Sequence, residues 1–197
     1  MASLFAAVGL AVALFACKKV PPPLATVALV RLSPAGITQH PWIGLGPTEL
    51  EEKGRQALAG TGSIALRKEG LSGEPSDWKA ILEISHVRTL PSDPGEAGSR
   101  AEVGVLWTLE RSGERIRSDA VGHRTFVPHD PQMRTEAFRR ALEAALEEAS
   151  RLLVLQLGAA RKSEEELIAD LNDEDPTVRD LAIRILTERK SVAAVQH

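Results

Sequence analysis

One cysteine, Cys17, is all that the chain carries, and tyrosine is absent altogether. A single thiol excludes an internal disulfide framework and any structural zinc site built on cysteine pairs. The aromatic content of 4% leaves little from which to build a stacking surface for bases or sugar rings. Lys and Arg are not in surplus either: 24 of them against 27 Asp and Glu give a formal net charge of −3. A phosphate-tracking footprint needs a clear basic excess, so nucleic acid is not expected as a partner. Also missing is an apolar run of membrane-spanning length. Residues 4–16, LFAAVGLAVALFA, fall short of the roughly 20 that a spanning helix requires.

Catalytic patterns are missing too. Histidines stand at 40, 86, 123, 129 and 197 without an HExxH pair or a cysteine cluster to complete a metal site. His123, His129 and Asp130 can approach one another at a sheet edge, but a helix cap already accounts for Asp130. GLGPTE and AGTGS lack the lysine of a phosphate loop and the strand-to-helix context of a dinucleotide fingerprint. No GxSxG elbow is present, and Glu147-Glu148 and Glu164-Glu165-Glu166 read as solvated helix faces. The expectation is therefore a protein that is not an enzyme, with no cofactor and no metal.

What is present begins with a hydrophobic content of 43%, enough for a real core. The apolar run 4–16 has the length of a signal-peptide core and reads as a targeting segment. It ends Leu14-Phe15-Ala16-Cys17, which resembles the lipobox of bacterial lipoproteins: a large apolar residue three before the cysteine and a small one immediately before it. That resemblance implies a signal peptide over 1–16, cleavage before Cys17, and acyl chains on Cys17 that hold the protein to a membrane of the cell envelope, facing the periplasm. Lys18, where an acidic residue would retain a lipoprotein at the inner membrane, resembles those sent on to the outer membrane. The alternative is an uncleaved anchor whose flanking Lys18 and Lys19 would turn the following domain toward the cytoplasm.

Pro21-Pro22-Pro23 favours an extended polyproline segment, so residues 17–25 form a lipidated cysteine and a stiff tether. Strands are expected over 26–32, SIALRKE, WKAILEISHVRTL, and a hairpin joining AEVGVLWTLE to ERIRSDAVGHRTF at Ser112-Gly113. Trp78, Ala80, Leu82 and Ile84 share one face by period-two alternation, as do Val103, Val105, Trp107 and Leu109. A helix should open at Thr48, with Glu51 closing a capping box, and run to about Leu58. A long amphipathic helix should open at Asp130-Pro131 and run to about Leu157. PSDPGEAGS, residues 91–99, reads as an exposed loop.

This order predicts an α+β domain over 26–160: a two-layer antiparallel sheet with covering helices. LEEKGRQALAGTGSIAL, with the hairpin LWTLERSGERIRSD, resembles small envelope domains related to the amino-terminal domain of TolB and to lipoprotein activators of penicillin-binding proteins. Residues 163–197 follow as a helical pair. Ser163 and Glu166 make a capping box, Asp175-Pro176 opens the second helix, and LIADLNDEDPTVRDLAIRIL resembles a short bacterial HEAT repeat. A lone repeat relies on neighbours to bury its core. The pair is therefore either a structural cap on the domain or a binding surface, with Val178 and Arg179 as its candidate contacts.

Trp42, beside Pro41 in the loop 37–45, either plugs the edge of the core or anchors a partner. The function expected is that of a membrane-anchored envelope lipoprotein acting as a non-enzymatic protein-binding or assembly component. The alternatives are a small-ligand binder or enzyme using the loop 37–45, and a cytoplasm-facing anchored adaptor.

Overall fold

A computed structural model describes residues 22–68, 74–91 and 98–189. The signal segment, Cys17, most of the tether, loop residues 92–97 and the carboxy-terminal residues 190–197 lie outside those described. The elements run β1 (Ala25–Leu32), α1 (Pro47–Gly60), β2 (Ile64–Leu66), β3 (Trp78–Pro91), β4 (Ser99–Arg111), β5 (Glu114–Phe126), α2 (Pro131–Ala159), α3 (Glu164–Asp170) and α4 (Pro176–Glu188).

The strands form one sheet in the order β2-β1-β3-β4-β5. The expected antiparallel sheet is corrected here: β3-β4-β5 is antiparallel, but β1 runs parallel to both β2 and β3. The cause is α1. It carries the chain back after β1, so β2 starts from the same end as β1, as parallel neighbours joined by a crossover must. β1 then lies inside the sheet rather than at its edge.

Alternation places the core as expected. Trp78, Ala80, Leu82 and Ile84 of β3 and Val103, Val105, Trp107 and Leu109 of β4 are all buried on one face. Helices α1 and α2 cover that face. Their approach is close: a Cβ on Gly122 of β5 would sit 1.9 Å from the Ala141 carbonyl oxygen of α2, so only glycine permits this packing. Two buried polar bonds fix α2 on the sheet. Trp107 Nε1 donates to Ser150 Oγ at 3.1 Å, and Ser118 Oγ donates to the Ala149 carbonyl at 2.7 Å.

The cap expected at Thr48 falls two residues earlier. Gly46 is the N-cap, Pro47 takes the first helical position, and Glu49 Oε2 accepts from the Gly46 N–H at 2.8 Å. Glu51, released from that role, accepts from the Leu32 N–H at 2.9 Å and ties the helix to the end of β1. The other caps form where the sequence places them. Asp130 Oδ1 accepts from Gln132 and Met133, Ser163 and Glu166 make their reciprocal box, and Asp175 accepts from Thr177.

α3 and α4 build a second small core from Leu167, Leu181, Ala182, Ile185 and Leu186 against Ala159 at the end of α2. Arg189 donates to the Ala160 and Lys162 carbonyls, locking α4 to the chain leaving α2. The pair therefore stacks on the long helix, which supplies the neighbour that its apolar faces need.

Candidate functional site

The face of the sheet opposite α1 and α2 carries no helix among the described residues. It exposes Leu29 on β1, 36% accessible, and Val121 on β5, 44% accessible. Pairing between strands sets its polar residues. Arg88 of β3 lies opposite Glu102 of β4, which lies opposite His123 of β5, and His86 lies opposite Gly104.

Glu102 is the anomaly on this face, a carboxylate 4% exposed on an uncovered surface. Its neighbours close over it. Arg88 Nε donates to Oε1, His86 Nε2 lies 3.1 Å from the same oxygen, and His123 Nδ1 lies 3.4 Å from Oε2. Burial pushes this carboxyl up, but the Arg88 hydrogen bond and charge, with His123 and His86, outweigh it and hold the group below its ordinary value. The glutamate is thus kept ionised and ties three strands together.

A register shift between Ile84 and His86 turns Ser85 and His86 toward this cluster. The His86 ring then packs against Gly104, where a Cβ would come within 2.3 Å of it. Ser85 Oγ is 3.2 Å from His86 Nδ1, so hydroxyl, imidazole and carboxylate stand in series. A hydrolase triad has that order of contacts, but it also needs donors aimed at a developing oxyanion. Arg88, the guanidinium beside the cluster, is instead held on the Glu102 carboxylate. Among the described residues no group of three or more His, Cys, Asp or Glu is arranged to hold a metal ion. No described helix is long and apolar enough to cross a membrane.

The residues singled out from sequence lie apart from this cluster. Cys17 lies outside the described residues. Trp42 is half-buried, its ring 4.9 Å from Phe138 and 5.1 Å from His40, with the Arg134 guanidinium over its face at 5.7 Å. It packs against the main core. Val178 is half-buried in the first turn of α4, and Arg179 donates to the Asp173 and Glu174 carbonyls, closing the acidic turn before its own helix. Asp130 is a helix cap, and His123 turns to Glu102 rather than to His129. Sequence reasoning missed Ser85, His86, Arg88 and Glu102. The one signal for them was the break in alternation after Ile84, where a polar pair follows two buried apolar positions.

No family model matches this chain, and no curated protein matches it by sequence. Solved structures resemble it. A Xanthomonas campestris protein of the DUF330 family aligns with a TM-score of 0.50 at 16% identity, covering 71% of this chain and 91% of that one. A minor lipoprotein of Acinetobacter baumannii aligns with a TM-score of 0.43 at 11% identity, covering 72% and 96%. At these identities the likeness is one of fold: the chain has the mixed α+β fold of the Xanthomonas protein over most of that protein's length.

Proposed function

We propose that this chain is a bacterial envelope lipoprotein, held to the membrane by acyl chains on Cys17, whose folded domain binds or assembles a protein partner without catalysis. The observation that carries the reading is Leu14-Phe15-Ala16-Cys17, eight positions ahead of a strand that begins at Ala25 with only a proline-rich tether between. A lipid-modified cysteine there would leave the domain riding directly above the bilayer, facing the periplasm. Two or more acyl chains give stable anchoring where one is marginal. The uncovered sheet face, with Val121 exposed beside the polar cluster and Leu29 exposed further along it, opposite Lys79, is the surface offered to a partner. The domain would then be an adaptor, the lipid supplying place and the sheet supplying contact.

Metabolic labelling with a fatty-acid analogue tests the anchor. Label is expected on the wild-type chain and not on Cys17→Ser; equal incorporation in both sinks the reading. Cross-linking in cells, with and without Val121→Glu, tests the surface. Loss of one discrete adduct in the variant is the supporting result, and an unchanged adduct pattern counts against the sheet as the contact.

A further inference from the structure

The end of the domain that meets the tether also carries a cleft lined with arginine. It lies between the edge strand β5, the last turn of α2 and the carboxy-terminal half of α4, with a volume of about 440 Å³. Arg115, Arg117 and Arg184 line it, with Ile116 and Ile185 as apolar walls and Glu188 as its one carboxylate. Arg115 is already paired with Glu110 at 2.6 Å. Arg117 and Arg184 meet no carboxylate or carbonyl among the described residues.

The position of this cleft is fixed by the same turn that receives the tether. Ala160 lines it, and Arg161, the next residue, donates to the Leu24 carbonyl, while the Leu24 N–H donates to Ser63 at 2.7 Å. From Cys17 to Leu24 is seven residues, a reach of at most about 25 Å. Arg161 and Arg189 add two guanidinium groups that bond only carbonyls, and Arg189 covers the carbonyl end of α2, whose partial negative charge would oppose an anion. Arg117 and Arg184 line the cleft without a carboxylate partner, against Glu188; Arg161 and Arg189 stand at the turn beside it, and the nearby Glu110 and Glu114 are already paired with Arg115 and Arg111.

We infer that this cleft is a site for the phosphate headgroup of anionic phospholipid, and that it seats the domain on the membrane surface beside its own anchor. The inference deepens the lipoprotein reading, which supplies the direction of the bilayer. Guanidinium pairs suit a phosphodiester because they present planar forks of donors. A lipid anchor reinforced by a basic patch is the two-signal arrangement that makes surface attachment persistent. Each arginine near an anionic surface strengthens binding by roughly fivefold, and salt weakens it.

The test uses residues 18–197, which keep every described contact and lack Cys17, so failed acylation cannot be mistaken for failure of the cleft. Co-sedimentation is measured with vesicles of phosphatidylcholine alone and of phosphatidylcholine with phosphatidylglycerol. Binding is expected only to the anionic vesicles, falling as salt rises, and weakening about thirtyfold in Arg117→Gln/Arg184→Gln. The circular dichroism of that variant should match wild type, since neither side chain has a described partner. Equal binding to both vesicle types, or an unchanged double variant, overturns the inference. Saturable binding of inorganic phosphate without vesicle binding overturns the membrane assignment and leaves a free-phosphate site.

Discussion

At the scale of single residues, Glu102 sets the behaviour of the uncovered face. Its folded value lies below the ordinary 4.5, so its contribution to stability is present above that value and lost as pH falls through the depressed one. Glu102→Gln keeps the shape but removes the charge that Arg88, His86 and His123 surround. It is expected to cost about 1–2 kcal/mol at pH 7, the range for removing a charged partner from a bond whose other members are partly solvated. Below pH 4.5 the wild-type curve should fall toward that of the variant. Urea unfolding of both proteins from pH 7 down to pH 3 measures this, and parallel curves across the range would show that the carboxylate carries no such role. The role of Glu102 itself was not legible in the sequence, because in AEVGVLWTLE it occupies an ordinary outward position of an alternating strand, and only the break after Ile84 hinted at its partners. Its partners arrive from β3 and β5, through a register that includes a shifted residue at Ser85.

At the scale of elements, the local chemistry was far more open to reading. Strands β3, β4 and β5 alternate because one face is buried and the other is not, and that pattern is written residue by residue. Caps are equally local. Asp130 and Pro131 open α2 as their side chains dictate, and Asp130→Ala is expected to lower stability by about 1 kcal/mol, read as a shift in the midpoint of thermal unfolding. Asp130→Ser should recover most of the loss, because a serine hydroxyl can accept from the same amides; no recovery would mean that the cap is not the cause. The start of α1 was misplaced by two residues for a physical reason. Two acidic residues, Glu49 and Glu51, each stand three positions after an acceptable cap, and the tertiary bond from Glu51 to Leu32 decides between them. Strand order was not legible at all. Whether β1 pairs parallel or antiparallel depends on which edge it joins, and nothing within Ala25–Leu32 records that choice.

At the scale of the molecule, two cores share one helix. The larger lies between the sheet and the helices α1 and α2, and the smaller lies where α3 and α4 stack on the end of α2. α2 therefore belongs to both, and it is the element without which the buried face of the sheet, Trp107 and Leu109 included, stands open. The interior position of β1 has a temporal consequence. A growing chain emerges amino terminus first, yet the strand beside the tether finds its neighbours only after Leu66 and Leu82 have followed. Even then the sheet lacks its covering helix until residue 159 is out. Chains ending at residue 129 and released from the ribosome should be digested by protease throughout, whereas released chains ending at residue 162 should resist; resistance at 129 would show that the sheet closes without α2. The segment that leaves the ribosome earliest is thus among the last to be locked in place, and it spends most of synthesis as an extended strap open to whatever handles the amino terminus.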